Sequence, residues 1–222
     1  GIVNTAFFDG DILFSYAIYG LLLIPLSYLP SKYLWGVVAF LFVQPIEIYS
    51  LLTGWQVDMS AMGDVYGKMA EAHHHGTFWE NAWANLQYGQ VATYYWCMVK
   101  GRHTQTICLF VLGMLVGRNR WLYNENNNLQ LWKKVLLVSI VVLIIGGVCD
   151  VCHLPTYGLW LSPIYNFFIL SFIVSAFVLL WYGKEWFRTG LSFLRQFGKM
   201  SLTNYFLQSI IGCGLFCYYG FN

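Results

Sequence analysis

The sequence predicts an all-α polytopic membrane protein, about six transmembrane helices with amphipathic interfacial helices between them. Three observations carry that prediction. Of the 222 residues, 58% are hydrophobic and only 10% charged, with a mean hydropathy of +0.56, whereas soluble domains carry about 25% charged residues. Apolar windows of about 20 residues, the length that spans a hydrocarbon core, recur along the chain. The basic residues collect between those windows or at their ends. Five prolines without a low-complexity tract exclude a disordered or collagen-like chain, and 12 Lys and Arg against 10 Asp and Glu leave no nucleic-acid footprint.

The first window, 12–30, is uncharged and ends at Pro30. The second, 33–53, follows Ser31 and Lys32 and holds one carboxylate, Glu47, just past Pro45. Windows 104–121, 131–149, 160–182 and 202–221 complete six, all within a single membrane domain. The stretch 54–103 is polar by comparison, with Asp58, Asp64, Lys68, Glu71, His73, His74, His75 and Glu80, and is expected outside the bilayer. Within it, 78–98 mixes Trp79, Trp83, Tyr88, Tyr94, Tyr95 and Trp96 with amides and alanines, the composition of an interfacial or re-entrant helix. Segment 184–200 interleaves Trp186, Phe187, Phe193 and Phe197 with Lys184, Arg188, Arg195 and Lys199, which suits a basic helix lying on an anionic leaflet.

Six spans place nine of the twelve basic residues on one side, which the positive-inside rule makes cytoplasmic. Both chain ends, all five histidines and most carboxylates then face outward. The chain begins at Gly1 without a methionine or the basic start of a signal peptide, so a piece of a longer protein is expected.

Three motifs, in order, are Gly10-Asp11-Ile12-Leu13 with Tyr16 to Leu22; Gly101-Arg102-His103 leading into Leu109 to Arg118; and Gly198-Lys199-Met200-Ser201-Leu202-Thr203-Asn204-Tyr205 continuing to Ser209. In these the chain resembles the YeiB-like family of bacterial inner-membrane proteins, domain of unknown function 418, in its carboxyl-terminal portion. The resemblance implies kinship with transmembrane acyltransferases, which move acyl groups onto envelope sugars or lipids. It also implies an acyl-CoA donor, and a lipid or polysaccharide acceptor at the outer face of the inner membrane.

The residues themselves offer several sites. Glu47 is the one carboxylate deep in a window, where an ionised group costs several kcal/mol unless it is paired or protonated. Pro45 frees a backbone carbonyl, so Gln44 and Glu47 are placed to line a kink. Asn204 and Gln208, four apart, share a helix face for interhelical bonding or substrate contact. Asp9 and Asp11 sit at the mouth of the first window, Asp11 as a helix cap and Asp9 undecided between cap and catalysis. Three consecutive histidines on a helix cannot all face one ion, so a solvated loop is expected, with one member available as a general base. His75 is taken as that candidate, with His103 competing. Arg118, Arg120, Lys133 and Lys134, along with Lys199, are cations suited either to donor phosphates or to topology alone. No metal site is expected.

Cys149-x-x-Cys152-His153 is a literal c-type haem attachment motif, with two unmodified thiols or a local disulfide as the simpler reading. The other cysteines sit in apolar helices as small buried hydrophobes. Three functions therefore remain open: an acyltransferase-like enzyme with Glu47, His75 and Asp9 as catalytic candidates, a small-molecule or proton-coupled transporter lined by Gln44, Glu47, Asn204 and Gln208, and a membrane haem protein. No internal repeat of the transporter kind is visible.

Overall fold

The computed structural model describes residues 2–55, 60–152 and 158–216. It is 83% helical, without strands among the described residues, so the all-α expectation holds. In chain order the helices are α1 (Ile2–Thr5), α2 (Leu13–Ser27), α3 (Ser31–Phe42), α4 (Pro45–Thr53), α5 (Ser60–His75), α6 (Phe78–Ala84), a π-helical turn (Asn85–Gly89), α7 (Gln90–Val99), α8 (Arg102–Arg118), α9 (Asn128–Val151), α10 (Gly158–Gly183), α11 (Glu185–Gly190), α12 (Leu194–Lys199) and α13 (Ser201–Phe216).

Three stretches are long and apolar enough to cross a bilayer: Ser31–Thr53, Asn128–Cys149 and Ser162–Gly183. The other three windows form shorter helices. At 1.5 Å per residue the 15 residues of α2 reach about 22 Å, short of a hydrocarbon core of about 30 Å. Helix α8 has 17 residues and α13 has 16 described ones. Leu137, Val141, Ile144, Ile145 and Val148 leave an exposed apolar face along α9, a surface that is stable against lipid and costly in water.

The chain forms two compact units. One holds 23–54 and 100–194. Its core is Leu34 and Val38 of α3 against Cys108, Val111 and Leu115 of α8, five residues no more than 8% exposed. Helices α9 and α10 pair along their length, with Ser139 and Ser175 fully buried. Small side chains let helices approach closely where no hydrophobic effect drives them together. The α8–α9 connection is fixed by polar contacts. Asn128 donates to the carbonyls of Arg120 and Tyr123, and the Trp132 indole donates to Trp121 at 2.7 Å.

The other unit holds 1–22, 55–99 and 195–222. Its framework is α5 against the continuous helical run from α6 through the π turn into α7. Helix α6 starts at a reciprocal capping box, in which the Thr77 hydroxyl accepts from Glu80 N–H while the Glu80 carboxylate accepts from Thr77 N–H at 2.7 Å. The Thr77 hydroxyl also donates to the Glu80 carboxylate at 2.9 Å, and the two Thr77 donors, the backbone N–H first and the hydroxyl second, hold the Glu80 carboxyl below its ordinary value.

Candidate functional site

Two polar constellations occur, one in each unit. The first is built on the N-terminal turn. Phe7 and Phe8 N–H both donate to Asn4 O at the end of α1, so the chain doubles back and delivers Asp9 and Asp11 to the start of α2. Asp11 is fully buried. Its Oδ1 accepts from Leu13 N–H at 3.0 Å and from the Tyr205 hydroxyl at 3.1 Å, and its Oδ2 from the Thr5 hydroxyl at 3.3 Å. Gln90 secures the arrangement by donating to Thr5 Oγ1 at 2.8 Å and to the main-chain carbonyl of Asp11. The capping role expected of Asp11 is present at Leu13. The carboxylate also joins the N-terminal turn and α2 to α13, which the sequence reading did not include.

The π turn explains how the N-terminal turn is seated. A π-helical insertion in an α-helix changes which side chains face a neighbour, and such insertions recur at functional sites. Here it aims Asn85 at the N-terminal turn, with its amide donating to Ala6 O and to Asn81 Oδ1. It also sets Gly89 so close that an added Cβ would lie 2.8 Å from the carbonyl oxygen of Asp9. Thr93 donates to that same carbonyl.

His73 Nε2 lies 2.9 Å from Asn85 Oδ1. Because the Asn85 amide nitrogen is spent on two carbonyl oxygens, its Oδ1 faces the imidazole, and Nε2 is the donor. Neutral His73 therefore keeps its basic lone pair on Nδ1. The three histidines form the last turn of α5, in place of the solvated loop expected from the sequence. Their roughly 100° spacing separates them: His73 is half-buried beside Asn85, while His74 and His75 are exposed. The histidine that meets the site is thus His73, two positions before the candidate His75.

Asp9 and His73 line a cavity of about 370 Å³ together with Phe7, Phe8, Tyr205, Gln208, Ser209, Gly212 and Cys213. The α13 contributions fall at i, i+3, i+4, i+7 and i+8, one helical face. Gln208 lines the cavity, and Asn204, about 40° past it at the edge of that face, does not. A Cβ on Gly212 or on Gly214 would meet nothing within 4 Å among the described residues, so Gly212 leaves open space at the cavity. Lys199 is exposed at the end of α12, away from the cavity lining.

The second constellation lies where the 31–53 stretch breaks. Gln44 adopts the left-handed conformation (φ 60°) between α3 and α4, and its side chain is 3% exposed. Glu47, in the first turn of α4, accepts from the Thr104 hydroxyl at 3.0 and 3.2 Å. Gly101, at φ +62° before α8, lies against both side chains, and a Cβ there would be 2.8 Å from Glu47 Oε1 and 3.3 Å from Gln44 Oε1. Gln105 bridges Arg102 Nη1 and the carbonyl of Pro163 in α10. Gln44 and Glu47 do line the break, as expected from Pro45. Glu47 and His103 belong to one unit, and Asp9 with His73, His74 and His75 to the other.

Arg118 is engaged with backbone. Its Nη1 donates to Leu29 O at 2.8 Å and its Nη2 to Ser27 O, so the guanidinium caps the carbonyl end of α2. Arg120 pairs with Glu125 at 3.1 Å and stacks over the Tyr123 ring, leaving Lys133 and Lys134 as exposed cations of the basic cluster. Cys149 and Cys152 are unbridged thiols, half-buried and exposed respectively; His153 of the haem-like motif and Asp58 lie outside the described residues. Cys97, Cys108 and Cys213 are buried, as small hydrophobes should be. Among the described residues, no group of three His, Cys, Asp or Glu is placed to hold a metal.

Sequence reasoning missed Thr5, Asn85, Gln90 and Tyr205 as members of the first constellation. One signal was present. Thr77-x-x-Glu80 is a capping box that starts a new helix at Phe78, which implies that the histidines end the preceding one.

The family model described as "Protein of unknown function (DUF418)" matches residues 116–222. A relative is the "Uncharacterized protein YxaH" of Bacillus subtilis (strain 168), 30% identical over 118 residues. That match covers 50% of this chain and 27% of the relative, so the matched half of the chain spans about a quarter of that protein's length. No solved structure matches the chain.

Proposed function

We propose, on the premise that residues 116–222 are of the DUF418 family, that this chain is part of an acyltransferase-like membrane protein. In this reading it transfers an acyl group from a thioester of the acyl-CoA class to a hydroxyl of an envelope sugar or lipid. The observation that carries the reading is His73. An imidazole held by Asn85 at 2.9 Å lines a 370 Å³ cavity whose wall carries polar side chains (Asp9, Tyr205, Gln208) and apolar ones (Phe7, Phe8, Cys213). The polar groups suit an acceptor hydroxyl, and the apolar ones suit an acyl chain.

The step is ordinary base-assisted acyl transfer. His73 Nδ1 takes the acceptor's proton as its oxygen attacks the thioester carbonyl. The tetrahedral intermediate collapses by breaking the C–S bond, and the imidazolium returns the proton to the departing thiolate. Asp9 accepts a hydrogen bond from a second acceptor hydroxyl, and the Asn85 bond keeps the imidazole in the productive tautomer. Glu47 has no part in this step.

The test uses membranes from cells expressing the complete reading frame, given radiolabelled acyl-CoA, with label followed into lipid and polysaccharide fractions. Wild type should transfer label, and His73→Gln should lose about 10²–10⁴-fold in rate, the usual contribution of general-base catalysis. Equal transfer by the variant, or no transfer by wild type, rejects the reading.

A further inference from the structure

We infer that the break between α3 and α4 is a binding site for a small monovalent cation, with Glu47, Gln44, Thr104 and the Gly101 carbonyl as its oxygen ligands. This goes beyond the acyl-transfer reading and uses none of its residues.

The local chemistry is one-sided. Gln44 Oε1 is buried and has no hydrogen-bond partner among the described residues. Burying an amide oxygen without a donor costs about 1–3 kcal/mol, and native proteins rarely leave that cost unmet. Beside it stands the Glu47 carboxylate, whose one hydroxyl donor is Thr104. The Cβ that Gly101 lacks would stand 2.8 Å from Glu47 Oε1 and 3.3 Å from Gln44 Oε1, so both oxygens face the same side of the Gly101 backbone. The Thr104 hydroxyl reaches both the carboxylate and the Gly101 carbonyl, at 3.3 Å from the latter. The break thus holds a carboxylate and, on the same side of Gly101, a buried amide oxygen without a donor, and a cation between them would satisfy both.

The backbone points the same way. Gln44 holds a left-handed conformation without being glycine, a strain that persists only where the surroundings impose it. Breaking a membrane helix with backbone turned toward a polar side chain is how discontinuous helices hold coupling ions near mid-membrane. At Gly101 a side chain is excluded twice, by its positive φ and by the two oxygens that occupy its Cβ side.

Charge selects the ion. One carboxylate among neutral oxygens supplies a single negative charge, which one monovalent cation neutralises in a low-dielectric setting. Calcium sites recruit several carboxylates, and magnesium retains most of its water.

The experiment replaces choline chloride by sodium chloride at constant ionic strength and follows the unfolding temperature of the full chain in detergent. Sodium should raise it saturably, by a few degrees at saturation, because a ligand bound only by the folded state stabilises it by mass action. Glu47→Gln should remove the sodium dependence, and Gln44→Leu should move half-saturation upward by about tenfold, 1.4 kcal/mol for one lost ligand. A wild type indifferent to sodium against choline overturns the proposal, and so does a sodium effect that survives in Glu47→Gln. If that variant does not fold, calorimetric titration of sodium chloride into wild type decides alone, with the absence of saturable heat overturning the site. An unfolding temperature that responds to pH but not to sodium assigns the oxygens to a proton, which also overturns it.

Discussion

The Tyr205 hydroxyl donates to Asp11 Oδ1 at 3.1 Å, joining residues 194 apart in the chain inside one compact unit. Asp11 is buried, and Leu13, Thr5 and Tyr205 are its donors. Removing a donor to a buried carboxylate costs about 1.5–3 kcal/mol. Tyr205→Phe, which keeps the ring and deletes the hydroxyl, should lower unfolding free energy by that amount. Chemical denaturation in mixed micelles checks it, and an unchanged midpoint would show that water replaces the tyrosine.

Gly89 predicts a steric effect. Its missing Cβ is what lets the Asp9 carbonyl approach the π turn, and the obstructing atoms are backbone, which cannot rotate away. Gly89→Ala should destabilise by about 1–3 kcal/mol, as overpacking does, and should displace Asp9 from the cavity wall. The first effect is measured by unfolding. The second appears as a fall in transfer rate larger than the folded fraction accounts for.

The capping box predicts a pH dependence. Glu80 is held below its ordinary value of 4.5, chiefly by the Thr77 backbone N–H. A depressed carboxyl stabilises fully above the ordinary value and loses that contribution as pH falls through the depressed one. Wild type should therefore exceed Glu80→Gln in stability at neutral pH, with the difference closing at acid pH below 4.5. Thr77→Ala should cost about 1 kcal/mol at neutral pH, the usual worth of an N-cap. Unfolding curves across pH for the three proteins test both statements.

Arg118 separates a structural cation from a substrate-binding one. Its guanidinium donates to Ser27 and Leu29 carbonyls, so Arg118→Gln should cost about 1 kcal/mol of stability and leave the acyl donor's KM unchanged. A raised KM with unchanged stability would return Arg118 to the donor phosphates. Lys133→Ala and Lys134→Ala provide the contrast, since both side chains are exposed.

The sequence by itself determined the class of the protein and the position of most helices. Composition and 20-residue apolar windows report directly on the free energy of moving a segment from water to lipid, a local property that does not need a fold. It also located Pro45 as a helix break with Gln44 and Glu47 beside it, because a proline's missing N–H acts on its own turn. Helix length was less legible. The break at Gln44 divides a window that hydropathy alone runs together.

Only the tertiary structure decided which polar side chains meet. His73 rather than His75 faces the cavity because Asn85, twelve residues on and aimed by a π turn, accepts from its ring. Tyr205 joins Asp11 across nearly the whole chain, and Gln208 reaches the cavity while Asn204 does not because α13 presents one particular face. Periodicity fixes which residues share a face of a helix. Which face meets a neighbour is set by packing between segments distant in sequence, and that energy is written in no single window.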